Sequence, residues 1–300
     1  MFKINVIKYR RFWLSFSAIL VISSIVLLSV FNLRLGIDFL GGNLLEVEYK
    51  ESQPEVAKLY ELLDESNLAS LVIQATDNSI IFRFMETESS DYDDLIKLLS
   101  TLSADYGEME EIRYESVGPS IGQELRSKSF WLFTIVLIII IFYIALAFQK
   151  VSKPVASWKY GLVAIIALFH DLIITIGVFV LLGYFYQTEI NTPFIVALLM
   201  ILGYSVNDTI VVFDRIRENL PRSEDSFEGT VNSSVNQTLA RSINTTLTTL
   251  FALIAIYIFG GDTISDFVLV LIVGILCGAY SSIFFASPLL TLFNKRAKKS

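Results

Sequence analysis

Six apolar runs, at residues 12–31, 130–148, 161–182, 193–213, 243–259 and 267–290, leave few architectures open to this chain. Each is near the roughly 20 residues that an α-helix needs to cross the hydrocarbon of a bilayer, and the fifth is short enough to need little tilt. With 54% of 300 residues apolar and a mean hydropathy of +0.61, the composition is that of an integral membrane protein. Six membrane-spanning helices are therefore expected.

Charge between the runs orients them. Lys3, Lys8, Arg10 and Arg11 precede the first run; Lys150, Lys153 and Lys159 follow the second; Arg215, Arg217, Arg222 and Arg241 lie between the fourth and fifth; Lys295, Arg296, Lys298 and Lys299 follow the last. The loops at 183–192 and 260–266 carry no Lys or Arg. By the positive-inside rule both termini are cytoplasmic and residues 32–129 lie on the far side. A cleavable signal peptide is the competing reading of the first run. It is disfavoured, because the run exceeds the usual apolar core of a signal and Asn32, Leu33 and Arg34 offer no small-residue cleavage site. The expected organisation is a cytoplasmic N-terminus with the first helix (1–31), an exported domain (32–129), helices two to six (130–293) and a basic cytoplasmic tail (294–300).

Residues 32–129 hold eight Lys or Arg against twenty Asp or Glu, so this domain faces water. Residues 44–49 alternate like a strand, 54–66 have helical spacing behind Pro54, and 68–76 and 79–85 read as strands joined by a tight turn at Asp77 and Asn78. A second amphipathic helix is expected over 91–103 and a last strand over 111–117. The order strand, helix, strand, strand, helix, strand is that of a ferredoxin-like α+β unit. Such a fold does not specify function.

Asp208 stands between the apolar stretches 194–202 and 210–213, which places a carboxylate at hydrocarbon depth. Insertion scales put that cost at roughly +2.5 to +3.5 kcal/mol, so such a group faces the bundle interior and marks an ion or proton route. A buried acid that only hydrogen-bonds neighbouring helices is the plainer alternative. His170 and Asp171 lie near the middle of the third run; adjacent residues point to different helix faces, and packing and relay roles both stand. Arg241 opens the fifth span ahead of Ser242, Asn244, Thr245, Thr246, Thr248 and Thr249, and Arg241, Thr245 and Thr248 share a helical face. A guanidinium favours an ionised carboxylate and desolvation the neutral form, so Asp208 approached and released by Arg241 would take up and give back a proton. The candidate relay is Asp208, Arg241, Asn207, Thr245, Asp171 and His170. Against it, threonines in membrane helices commonly bond their own backbone or neighbouring helices, and Arg241 can snorkel. Gly274, Gly278, Ser282 and Ala286 recur every fourth residue, the pattern of a helix closely approached by another.

Other chemistries find little footing. His170 is the only histidine and Cys277 the only cysteine, which excludes a multi-histidine metal site and an internal disulfide; Cys277 reads as inert packing. A phosphate-binding Walker loop is absent, and no nucleophile and base are grouped at motif spacing. Neither a cofactor nor nucleic acid is expected, nor enzymatic activity.

Three motifs carry a family resemblance over nearly the whole chain. They are Gly36, Ile37, Asp38, Phe39, Leu40, Gly41 and Gly42; Gly118, Pro119, Ser120, Ile121 and Gly122; and Asn207, Asp208 and Thr209 on a helix ending Phe213, Asp214, Arg215, Ile216, Arg217 and Glu218. Together they resemble the SecD/SecF family of protein-export membrane proteins, in the resistance-nodulation-division superfamily. The resemblance implies six spans, pairing with SecD, association with the SecYEG translocon and accessory membrane subunits, and use of the proton motive force to draw preproteins across the bacterial inner membrane after ATP-driven steps by SecA. It also implies that Asp208 serves proton movement with Arg241 as its counterpart. The fused form of the family carries a SecD half that this sequence lacks, which leaves that half to a partner. Two alternatives remain: a proton-driven small-molecule transporter of the same superfamily, for which 32–129 is a lean exported region, and a scaffold whose polar residues only assemble a complex. Whether the coupling ion is H⁺ or Na⁺ is open at this point.

Overall fold

A computed structural model describes residues 4–63, 68–76, 78–85, 91–148 and 156–294. Its elements in chain order are α1 (Arg10–Phe31), α2 (Ile37–Leu40), β1 (Gly42–Tyr49), α3 (Val56–Leu63), β2 (Ala69–Ala75), β3 (Ile80–Met85), α4 (Asp91–Thr101), α5 (Ser103–Tyr106), β4 (Met109–Val117), α6 (Pro119–Ala147), α7 (Ser157–Phe185), α8 (Thr192–Asn219), α9 (Phe227–Phe259), α10 (Asp262–Tyr280), a π-helical turn (Ser281–Ala286) and α11 (Ser287–Leu292). They form two compact units: a helical unit of Met1–Arg34, Trp131–Thr188 and Pro193–Ser300, and a sheet unit of Leu35–Phe130 with Glu189–Thr192.

In the sheet unit the strand order is β2-β3-β1-β4, with every neighbouring pair antiparallel. That is the ferredoxin-like arrangement expected from the order of elements. Alternation places Leu45, Val47 and Tyr49 of β1 and Ile80, Phe82 and Phe84 of β3 on one face, where Leu59 and Leu63 of α3 and Leu95 and Leu99 of α4 cover them. Each such side chain contributes about 1.5–3 kcal/mol on leaving water. Tyr49 donates to the Leu99 carbonyl at 3.0 Å, and burial pushes its phenol up to about 12, so it stays a neutral donor. The opposite face carries Glu46, which accepts from Ser79 Oγ at 2.6 Å and lies 3.6 Å from Arg113. Of the expected β2–β3 turn, Asp77 lies outside the described residues; beside it Thr76 N donates to Ser79 O at 2.8 Å.

The glycine motifs meet in this unit. Gly41 has φ +79°, and a Cβ there would lie 2.8 Å from Pro119 Cα; a Cβ on Gly122 would lie 2.9 Å from Gly41 N. Two backbones therefore touch where side chains would separate them. Asp38 Oδ2 accepts from Thr192 N at 2.8 Å, and Gly36 N donates to Ile190 O at 2.8 Å. Arg83 and Glu189 form an ion pair at 3.0 Å. Residues 189–192, read from the sequence as part of a plain loop between two spans, are thus tied into the sheet unit by main-chain pairing that hydropathy does not report.

In the helical unit, six helices are long and apolar enough to cross a membrane. Several exceed their apolar runs: α6 begins at Pro119 and α9 at Phe227, where the runs begin at 130 and 243. A helix does not stop where hydrocarbon stops, and both starts have local causes. Pro119 suits a first helical turn. Ser226 caps α9 by accepting from Gly229 N, with Glu228 in the first turn. The last span is interrupted: Pro288 has no N–H to return to the preceding turn, and the backbone widens into the π turn just before it.

Helix α1 packs on α7 at a point where a Cβ on Gly177 would lie 2.3 Å from Ser24 Oγ. Phe148, Tyr160 and Phe213 cluster at the end of α6, the start of α7 and the later part of α8. Asn236 of α9 exchanges two 2.8 Å hydrogen bonds with the backbone of Ile4, Arg10 pairs with Glu228, and Lys159 donates to Phe293 O at 3.1 Å. One end of the unit therefore gathers the N-terminal segment, the start of α7, the α8–α9 connection and the end of α11, the four places where the sequence concentrates positive charge. Lys3, Lys150, Lys153, Lys295, Arg296, Lys298 and Lys299 lie outside the described residues.

Candidate functional site: two carboxylates held by serine hydroxyls

Asp208 is 6% exposed and Asp171 fully buried. A buried carboxylate needs donors on its lone pairs, and here serines from three helical segments supply them. Ser242 of α9 donates to Asp208 Oδ1, and Ser282 of the π turn donates to Oδ2 at 2.6 Å. At Asp171, Oδ2 accepts from Ser205 of α8 at 2.5 Å and from Ser281 of the π turn at 2.7 Å. The remaining oxygen, Oδ1, lies 2.9 Å from His170 Nδ1.

The local sequence explains this convergence. Ser205 and Asp208 are three residues apart on α8 and so share a face. Gly274 and Gly278 let α10 press against that face: a Cβ at Gly274 would lie 2.1 Å from Ile201 Cδ1, and one at Gly278 3.2 Å from Ser205 Cβ. Ser282 and the buried Ala286 continue the small-residue row. The π turn then aims the consecutive residues Ser281 and Ser282 at different carboxylates. Gly274→Leu should drive α10 off α8 and lower the melting temperature in detergent by several degrees, as overpacking of about 1–3 kcal/mol does; an unchanged melt would mean that the contact is loose.

His170 is buried, its ring stacked on Phe285 at 4.3 Å and 16° and facing Tyr280 at 6.2 Å. Adjacent helical residues were expected to diverge, yet His170 and Asp171 hydrogen-bond, because a ring nitrogen and a carboxylate oxygen reach sideways where backbone vectors separate. His170 Nε2, Thr209 Oγ1 and Thr246 Oγ1 are buried without a hydrogen-bond partner among the described residues.

The other sequence candidates lie elsewhere. Asn207, Arg241, Thr245 and Thr248 are exposed in this chain, and Thr245 Oγ1 returns to the Arg241 carbonyl at 3.0 Å. Asp208 has Ser242, not Arg241, as its α9 partner. The buried face of α9 runs through Thr238, Ser242, Thr246, Leu250 and Leu253, one residue round from the seam chosen on polarity. Ser205, Ser242 and Ser281 went unselected because serine is common in such helices; their helical offsets from Asp208 and from the small-residue row were the available signal.

Fold and site together define a class: a multi-pass membrane protein with an inserted ferredoxin-like domain and ionisable groups enclosed in its helical bundle. Residues 98–296 match the model for the protein export membrane protein SecD/SecF C-terminal region, and residues 26–53 match the SecD/SecF GG motif. The chain is 39% identical to the protein translocase subunit SecF of Thermobaculum terrenum, over 98% of this chain and 95% of that one. It is 37% identical to the SecF subunit of Sebaldella termitidis, over 99% and 93%. The crystal structure of SecDF, a translocon-associated membrane protein from Thermus thermophilus, superposes with TM-score 0.84 at 32% identity, covering 98% of this chain and 39% of that one. This chain thus spans well under half of the SecDF polypeptide. It belongs to the SecD/SecF family of protein-export membrane proteins, and the two relatives just named, which it matches over nearly their whole length, are SecF subunits.

Proposed function

We propose that this chain is an auxiliary subunit of the Sec protein-export machinery which, with a SecD partner, couples a transmembrane proton gradient to preprotein movement through the SecYEG translocon. In this reading it sits in the bacterial cytoplasmic membrane, with both termini cytoplasmic and the ferredoxin-like domain exported. The observation that carries it is Asp208, an acid enclosed within a span and held, among the described residues, by two hydroxyls. As a carboxylate it accepts from α9 and from the π turn at once, so it clamps both to α8. A proton on either oxygen converts an acceptor into a donor, so one serine must turn to accept, and with the charge gone both hydroxyls are held less strongly, which loosens the clamp. One charge moved through 100 mV is worth about 2.3 kcal/mol, enough to bias a balanced two-state arrangement by more than roughly tenfold. The test is export into inverted vesicles carrying the whole complex. Collapsing the gradient after the ATP-driven stage should slow completion by about tenfold or more on that arithmetic; completion at an unchanged rate would remove the coupling role.

The exposed polar positions support the partner. Asn207, Arg241, Asn244, Thr245 and Thr248 lie within or beside apolar spans and are uncovered in this chain alone. The two threonine hydroxyls return to carbonyls of their own helix, but lipid cannot satisfy Asn207, Asn244 and Arg241, and a second helical protein can. Thr245→Trp should reduce co-purification of the SecD partner severalfold without unfolding the chain; undiminished co-purification would place the partner elsewhere.

A further inference from the structure

We infer that His170 and Asp171 form a second proton-holding site, linked to Asp208 through α8 and the π turn. The inference rests on the reading of Asp208 as the coupling acid. Its own support is geometric. Asp171 has both oxygens engaged, Oδ2 by Ser205 and Ser281 and Oδ1 by His170 Nδ1. With the hydrogen on Nδ1, the ring presents Nε2 as a bare acceptor, and Nε2 is a buried atom without a hydrogen-bond partner among the described residues. A histidine needed only to orient Asp171 requires one nitrogen. The second nitrogen, held inside a membrane bundle between Phe285 and Tyr280, is a place for one more proton.

The proton count closes. A proton taken up at Nε2 makes an imidazolium; the hydrogen on Nδ1 then passes to Asp171 Oδ1, leaving a neutral ring with its hydrogen on Nε2 and a neutral acid. Loss of one proton from the pair restores the starting charge. The groups that surround it are Asp171 on its own helix, Tyr280 on α10, whose hydroxyl is tied to Ser17 of α1 at 3.0 Å, Cys277 on α10 within electrostatic reach of Asp171, and Asp208 beyond Ser205 on α8.

Linkage to Asp208 follows from shared elements. A neutral Asp171 holds Ser205 and Ser281 less strongly. Ser205 lies one turn from Asp208 on α8, and Ser281 is adjacent to Ser282, which binds Asp208. Loading one acid therefore shifts the two elements on which the other depends.

The discriminating variant is His170→Asn, whose amide can still donate to Asp171 Oδ1 but has no second ring nitrogen. In vesicles with the whole complex, the ratio of export with a gradient to export without one should fall about tenfold towards unity, as it does when one member of a coupled unit is lost. A ratio near that of the unaltered protein would overturn the inference, since a purely structural histidine tolerates that replacement. Where the variant fails to co-purify with its partner, infrared difference spectra of the unaltered complex across a pH step decide. Two protonated carboxyl bands, one abolished by Asp171→Asn and one by Asp208→Asn, are expected, and Ser281→Ala should shift both. A single band assigned to Asp208 would overturn it. Loss of gradient dependence in Asp208→Asn but not in His170→Asn or Asp171→Asn would defeat this inference alone, whereas full gradient dependence in Asp208→Asn would defeat the reading beneath it.

Discussion

Asp208→Asn is expected to abolish the gradient-dependent part of export while leaving the chain folded and assembled. The asparagine amide keeps one oxygen as acceptor for Ser242 or Ser282, and the other hydroxyl can turn to accept from its NH₂, so both elements remain in place. What disappears is the ability to gain and lose a charge. Because a neutral amide costs less to bury than a carboxylate, the melting temperature in detergent should hold or rise. Gradient-stimulated export should drop by more than about tenfold, the scale set by one charge in the membrane potential. A variant that melted normally and still responded fully to the gradient would leave Asp208 with a packing role only. Asp208→Glu separates charge from geometry: it titrates, but its extra methylene enters a site bounded by Ser242, Ser282 and the α10 contact, so only partial activity is expected.

Gly41→Val should be the most damaging single change in the sheet unit. The backbone at Gly41 has φ +79°, where a β-branched residue is strained by about 1–3 kcal/mol. The added Cβ would also meet Pro119 Cα at 2.8 Å, a main-chain atom at the start of α6 that cannot swing aside. Strain and overlap together consume a large part of a typical domain stability of about 5–15 kcal/mol. Limited proteolysis of the full chain in detergent should then cut within residues 35–130 far faster than in the unaltered protein. Gly118→Ala is the control: a Cβ there meets nothing within 4 Å, and its effect should stay within about 0.5 kcal/mol. Equal protection of the two variants would mean that the contact between the two glycine motifs bears no load.

The N-terminal segment, which hydropathy treats only as a flank, is bound to α9 through Asn232 and Asn236, and its exposed ion pair with Glu228 adds little by itself. Removing Asn236 therefore concerns two main-chain hydrogen bonds to Ile4 rather than a charge.

Much of the architecture was legible in one dimension. The bilayer imposes a length on every apolar run, and the two-residue and 3.6-residue periods of residues 44–117 separate strands from helices, so six spans and a ferredoxin-like order followed from counting and spacing. Asp208 stood out for the same reason: a charge surrounded by aliphatic residues is costly whatever the fold. The seam around it did not stand out. Polarity along α9 favoured Arg241 and Thr245, and rotations of about 100° from Arg241 and about 60° from Thr245 separate them from Ser242, which faces the acid.

Composition and period thus determined what must be buried in lipid, what must face water and which charge was anomalous, because those are one-body costs paid by each residue against its solvent. Only the tertiary structure decided which hydroxyls hold Asp208 and Asp171, that His170 turns to its neighbour, and that residues 189–192 pair with the sheet unit. Those are relations between segments distant in the chain, and they depend on helix rotation and on a π turn induced near Pro288, neither of which alters the hydropathy of the sequence.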